Sequence, residues 1–341
     1  MKKLALLMIG FVLTASILAG CAGTKPAPTT PAPATPAATT PAAPTTAKVD
    51  FPKKPITIVV PNGTGGGSDL TARAIAQFSQ KYLGVSMVVE NKDGGGQTVA
   101  HTYFKSVPND GYTLIIWGNS GTTVAPLLQK TEYDPFKNEE AIGRITNLRN
   151  VLVVSADAPY KTLDEFVKYC QVNKGMKWAT SGANGIDDLT ARMMNLKYKT
   201  GIIPVAYGSG AEAALAVLSG ECKVACTSVT GAQAQVDQGK LRVLAVACDD
   251  KDPNHPEYKT AKEMGIDVAL NNSIGIAVPG GTDPKIKAIL EKFISDVTKD
   301  PDFITMYKKM NMSIDYLNAA DFLNLGQTDY NNVKAILASG A

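Results

Sequence analysis

The residues whose types and spacing could do chemistry gather in one kind of place along this chain. They sit in short runs of glycine and small hydroxyl residues that follow an apolar stretch and precede a helix-like one. The clearest is PNGTGGGSD, residues 61–69, directly behind ITIVV at 56–60. Glycine lets the backbone turn sharply there and leaves its N–H groups unshielded. A helix opening at Ser68–Asp69 adds the positive end of its dipole. Gly65, Gly66, Gly67, Ser68 and Asp69 thus form a candidate anion site made of amides and one hydroxyl. A phosphate loop of the GxxxxGK(S/T) kind is excluded, because no lysine follows the glycines. A dinucleotide fingerprint stays open: Gly63 and Gly65 fit and Glu90 stands at a workable distance, but Ser68 occupies the third glycine position. Two functions therefore compete, a carboxylate trap without catalysis and an exported dinucleotide-binding oxidoreductase. The bland alternative is a glycine turn that only packs a helix on a strand.

The pattern recurs. WGNSGTT at 117–123 offers Asn119 and Ser120. ATSGANGIDDLTARMM, from residue 179, offers Thr180, Ser181, Gly182 and Asn184 ahead of a helix whose adjacent acids, Asp187 and Asp188, read as caps. AYGSGAEAA at 206–214 brings Tyr207, and CTSVTGA at 226–232 brings Thr227 and Ser228. Converging on one crevice, such loops would make a polar, donor-rich and nearly uncharged pocket. Nucleophilic catalysis finds no support: GNSG and YGSG lack the GxSxG spacing, and neither His101 nor His255 lies near such a serine. With two histidines and no CxxC pair, neither a metal nor a cofactor is expected, and no catalytic residue is assigned. Trp117 and Trp178 read as core or rim aromatics rather than pocket walls.

The elements that must position these loops alternate. Strand-like runs at 56–60, 86–91, 112–118, 151–156, 176–181, 222–228, 241–247 and 273–279 are separated by helix-like runs at 69–83, 97–106, 162–173, 188–199, 210–219, 283–299 and 301–310. β-branched strands alternating with helices predict parallel sheets covered on both faces. Asp69 is expected to cap its helix and pair with Arg73, Thr162 and Glu165 to form a capping box, and Pro284 and Pro301 to open helices. Pro204 restricts its segment to an edge strand or an entry turn. Cys222 and Cys226 are expected on one strand, too far apart to bridge, and with Cys170 and Cys248 read as small buried apolar residues.

The chain begins like an exported protein. Lys2 and Lys3 precede an apolar stretch from Leu4 to about Ala19, too short for a membrane span, so residues 1–20 read as a signal peptide. Leu18, Ala19 and Gly20 ahead of Cys21 look like a bacterial lipobox, which makes Cys21 the expected lipidated residue. Residues 24–48 contain only Thr, Pro, Ala and Lys and favour extended conformations, a tether over about 21–50 that holds a body away from a bilayer. A formal charge of +3 without any basic stripe excludes nucleic acid as a partner.

FPKKPITIVVPNGTGGGSDLTARAIAQ, LGVSMVVENKDGGG, PNDGYTLI, YDPFKNEEAIGRI, VAYGSGAEAALAVLSGECKVA and QGKLRVLAVA resemble, in this order, the substrate-binding receptors of tripartite tricarboxylate transporters, the Bug-type extracytoplasmic solute receptors. The resemblance runs from about Phe51 to Phe322. It implies an α/β, type II periplasmic-binding-protein-like fold: two doubly wound lobes joined by crossover strands, a Venus flytrap. Lobe one would comprise 51–150 plus 275–341 and lobe two 151–274, with crossings near RNVLVV and NNSIGIAVP. It further implies a monomer that holds a small carboxylate or amino-acid-like ligand between its lobes and passes it to two integral membrane subunits. The bilayer would be met through Cys21, at the extracytoplasmic face of the cell membrane, in a periplasm or on the outer surface. Carried over residue by residue, the family's binding loops fall on Gly65 to Asp69, Thr180 to Asn184, Tyr207 and Thr227–Ser228. Asp188 stands where many members have His, Gly208 replaces the Lys of PYKG, PNGTGGG replaces the usual PF followed by proline-glycine, and GGGQ stands where GAGG is common. Losing that Lys and His while gaining Asp makes the expected pocket less cationic and favours a monocarboxylate, an amino acid or another polar solute over a polycarboxylate such as citrate.

Overall fold

Apolar residues two apart along each strand decide how the body folds. The computed structural model describes residues 49–338, apart from 268 and 269. The signal segment, Cys21 and the tether up to residue 48 lie outside the described residues. The strands are β1 (Ile56–Val60), β2 (Met87–Asn91), β3 (Thr113–Gly118), β4 (Glu139–Asn147), β5 (Asn150–Ser155), β6 (Lys177–Thr180), β7 (Ile203–Ala206), β8 (Val224–Ser228), β9 (Leu241–Val246), β10 (Ser273–Pro279) and β11 (Leu317–Asn318). The helices are α1 (Gly67–Leu83), α2 (Thr98–Phe104), α3 (Ala125–Leu128), α4 (Leu163–Val172), α5 (Ile186–Tyr198), α6 (Gly210–Leu218), α7 (Val229–Asp237), α8 (Pro284–Val297), α9 (Pro301–Lys309) and α10 (Ala319–Ala338), with a π turn over Ser120–Val124 leading into α3.

One sheet runs β11–β4–β10–β3–β1–β2 and the other β7–β6–β8–β5–β9. In β1, Ile56, Ile58 and Val60 join a core with α1, α8 and α9, whereas Val59 faces Ala100, Phe104, Trp117 and Phe322 on the opposite side. In β5, Leu152 and Val154 face α4 and α5, while Val151 and Val153 face α6 and α7. Period-two alternation with both faces apolar is the mark of a strand covered by helices on each side. This is the expected two-lobe α/β fold.

Several expectations are corrected. The sheets are mixed rather than parallel: β10 runs antiparallel to β3 and β4, and β5 antiparallel to β8 and β9. Both are strands by which the chain enters a sheet from the other lobe, so their direction is set by the crossing and not by a βαβ unit. Sequence reading missed β4 because Arg144, Thr146 and Asn147 interrupt its apolar run. All three are buried, Arg144 against Asp315 at 2.5 Å and Thr146 donating to the Ser313 carbonyl at 2.6 Å. It also missed α3, α7, α10 and β11. Strand β7, which carries Pro204, lies at a sheet edge.

Helix starts differ in detail. Gly66, not Asp69, is the N-cap of α1, although Asp69 pairs with Arg73 at 2.9 Å as expected. Thr162 accepts from the Glu165 amide, and Glu165 returns the bond to the Lys161 amide, one residue further out than the capping-box pattern. Pro284 and Pro301 follow the capping residues Asp283 and Asp300. Cys222 precedes β8 instead of lying in it, and Cys170, Cys222, Cys226 and Cys248 are free and buried. Trp117 and Trp178 are buried core residues.

Candidate functional site

Six strand-to-helix loops and two crossover segments meet in a cavity of about 290 Å³ between the two sheets. From the first lobe come Asn62, Gly63, Gly66, Gly67 and Ser68 behind β1, Asp93 to Gln97 behind β2, and Ser120 behind β3. From the second come Ser181 to Ala183 and Gly185 to Asp187 behind β6, Ala206 to Gly210 behind β7, and Ser228 behind β8. Leu148, Asn272 and Ile274 close the floor from the crossovers. Among the described residues, no Lys, Arg or His is part of this lining.

Helix starts give the cavity its electrostatics. The N-caps of α1 and α5 are Gly66 and Gly185, which bring no capping side chain, so first-turn amides stay open to an acceptor from outside, except that of Ile186, which Ser120 takes. Ser209 caps α6 by accepting from the Glu212 amide, and Ser228 caps α7 by accepting from the Gly231 amide. Because Ser228 accepts through its oxygen, its own O–H remains a donor toward the cavity. Ser120 does the same: its hydroxyl oxygen accepts the Ile186 amide of the other lobe at 3.3 Å.

Asp187 is the buried acid of the lining, 4 % exposed. Its Oδ2 accepts the Ser181 amide at 3.1 Å and the Ser181 hydroxyl, and its Oδ1 accepts Asn150 Nδ2 and lies 3.4 Å from Cys226 Sγ. Burial pushes its carboxyl above the ordinary value, against the pull of the Ser181 and Cys226 donors, and neighbouring Asp188 pushes the same way. The Ser181 donors expected to hold a ligand anion are therefore taken up inside the protein.

Of the residues singled out in the sequence, Gly66, Gly67, Ser68, Ser120, Ser181, Gly182, Tyr207 and Ser228 line the cavity. The others stand behind it. Gly65 donates its amide to Asp69, and Asp69 is held by Arg73 and Asn91. Burial works to raise the Asp69 carboxyl, but those partners outweigh it and keep it below the usual range. Asn119 ties the crossover, donating to Asp329 at 2.6 Å and accepting the Ser273 amide at 2.8 Å. Thr180 donates to the Gly182 carbonyl and shapes its loop, and Asn184 reaches across to Gln129 at 3.3 Å. Asp188 pairs with Arg192 at 3.0 Å instead of facing a ligand, and Thr227 packs under Gly210 and Gly231. Tyr207 reaches Cys222 Sγ with its hydroxyl, at 3.4 Å. Glu90, the acid a dinucleotide fold would use, is absent from the lining and pairs with Lys92 at 2.7 Å.

Sequence reasoning missed the KDGGGQ loop. Gly94, Gly95, Gly96 and Gln97 all take positive φ and turn the chain into the cavity. The signal was available, since this loop also follows a strand and precedes a helix. Leu148, Asn272 and Ile274 carried none, because their place depends on pairing between distant segments. Residues 147–150 and 271–273 run side by side, with Asn272 donating through its amide to Asn147 at 2.9 Å and through its side chain to Asn150 at 2.9 Å. Around them Arg149 donates to the Asn147 carbonyl and lies 3.5 Å from Asp315. Helix α10 spans both cores, with Phe322 in one and Val333 in the other.

Residues 71–340 match the tripartite tricarboxylate transporter family receptor, TctC. The chain belongs to that family. A Cupriavidus necator relative described as "UPF0065 protein in gbd 5'region" is 30% identical over 289 residues, 84% of this chain and 88% of the relative. The protein BugT of Bordetella pertussis is 25% identical over 250 residues, 72% of this chain and 77% of BugT. Among solved structures, MatC from Rhodopseudomonas palustris with bound malate superimposes with a TM-score of 0.78 at 25% identity, over 84% of this chain and 99% of that one. The receptor is thus an extracytoplasmic solute-binding protein and not an enzyme, which sets aside the oxidoreductase alternative.

Proposed function

We propose that this receptor captures a small carboxylate-bearing solute in the cavity between its lobes and delivers it to a tripartite tricarboxylate-type transporter of two integral membrane subunits. The observation that carries the reading is a cavity that receives open helix starts and serine hydroxyls from both lobes, with no cationic side chain in its lining among the described residues. Amides and hydroxyls aimed at one point bind an anion without a lysine or arginine. That MatC holds malate in the same fold supports a carboxylate as the ligand class. The contact residues are Gly66, Gly67, Ser68, Ser120, Ser181, Gly182, Tyr207 and Ser228, with Gly65, Asp69, Asn119, Thr180, Asn184, Asp188 and Thr227 holding their loops in place. Lobe one is formed by 51–150 and 275–341 and lobe two by 151–274. The exported chain loses residues 1–20, is lipidated at Cys21 and stands as a monomer on its tether, outside the cytoplasmic membrane.

Closure buries the ligand against both lobes, so binding shifts the population toward the closed form by the difference in affinity. A ligand at a hundredfold excess over its Kd stabilises the folded state by about 2.7 kcal/mol. Thermal unfolding with a panel of small carboxylates and amino acids therefore gives a clear rise in Tm for at least one compound. A panel in which none of them shifts Tm, while NADH does, overturns the reading.

A further inference from the structure

We propose that Asp187 selects for a ligand that carries a protonated amine beside its carboxylate, a zwitterion of the amino-acid type. The inference rests on the reading of this cavity as the solute site. Asp187 lies in the cavity wall at the second position of α5, and each of its contacts is with an uncharged group: Asn150, the amide and hydroxyl of Ser181, and Cys226. Donors on both oxygens suit the ionised carboxylate, which only accepts. Its neighbour Asp188 has Arg192 at 3.0 Å, but among the described residues Asp187 makes no ion pair. An unpaired buried charge is costly unless something compensates it. The positive end of α5 compensates in part, and burial drives the carboxyl toward its neutral form, so the site without solute is unbalanced.

Ser181 sharpens the argument. Its amide and hydroxyl both donate to Asp187, so what its oxygen can still offer the cavity is lone pairs. On the second lobe's side the side chains of Ser181 and Asp187 thus present acceptors. On the first lobe's side, Gly66 to Ser68 and the α1 start donate. A cavity with donors from one lobe and an anionic acceptor from the other fits a carboxylate and an ammonium on one small molecule. A dicarboxylate would set its second anion against Asp187.

The test is calorimetric titration of the receptor with matched probes: glutamate, 2-hydroxyglutarate and glutarate in one set, alanine, lactate and propionate in another. In at least one set the amine binds tighter than both its hydroxy and unsubstituted partners by about tenfold or more, as removal of one partner of a desolvated charge pair implies. Asp187→Asn erases that preference. Unsubstituted acids binding as tightly as the amines overturn the proposal while leaving the carboxylate site standing, and so does a hydroxy acid that equals its amine. No binding by any probe sinks the carboxylate site itself. The wild-type comparison decides alone should the variant not fold, and Ser228→Ala, which weakens every acid in a set alike, serves as control.

Discussion

Thr227 and Ser228 are adjacent in the chain and opposite in role. Strand alternation turns Thr227 inward, where its Oγ1 fills the space beneath Gly210 and Gly231, and leaves Ser228 at the cavity wall. Ser228→Ala removes a helix cap and a cavity donor together. We expect a loss of about 1 kcal/mol in stability from the cap. Affinity for any bound carboxylate falls by about fivefold from a lost hydrogen bond of about 1 kcal/mol. Paired thermal melts and titrations check both, and an unchanged Kd removes Ser228 from the site. At this scale the sequence showed which residue types could bind an anion and did not show which way they face. Ser181 faces the cavity as expected but gives its donors to Asp187, because a carboxylate six residues on reaches back across the turn. Nothing in the linear pattern separates such an acid from an ordinary cap.

Among the elements, strands were the most legible, since apolar alternation survives any context, and their limits moved by a residue or two. What failed was β4, whose buried polar residues are satisfied by Asp315 and Ser313, far away in the chain. Helix packing offers its own test at Asp300, which caps α9 and takes Lys81 at 2.5 Å and Tyr82 at 2.7 Å from α1. Lys81 first, then Tyr82, depress its carboxyl from the ordinary 3.8 to about 2. A depressed folded pKa adds stability that is fully present above the unfolded value and disappears as pH falls through the folded one. Melting curves of the wild type should therefore drop more steeply between pH 4 and pH 2 than those of Asp300→Asn. Parallel curves would mean that the α1–α9 contact contributes nothing to acid stability.

For the whole molecule, two of the places where the lobes meet are close backbone approaches at glycine. A Cβ on Gly96 would stand 2.3 Å from the Ala183 carbonyl of the other lobe, and one on Gly63 would stand 3.1 Å from the Gly208 carbonyl. Gly96 also holds φ at +64°, a region that suits glycine. Gly96→Ala should keep the cleft ajar and weaken ligand binding by about tenfold or more, since the closed state then carries a steric cost that the open state lacks. Small-angle scattering would show no compaction when ligand is added, whereas a variant that contracts like the wild type would show that the lobes close without this contact.

Strand β10 lies between β3 and β4 in the first sheet, although its residues are made more than a hundred positions after theirs. Until residues 273–279 emerge, the early half of the chain has a gap in its middle and two open ladders of unpaired peptide groups beside it. Biogenesis must keep that half-made sheet from pairing with a stranger, and a synthesis halted after the second lobe would yield a product prone to aggregate, not a smaller working receptor.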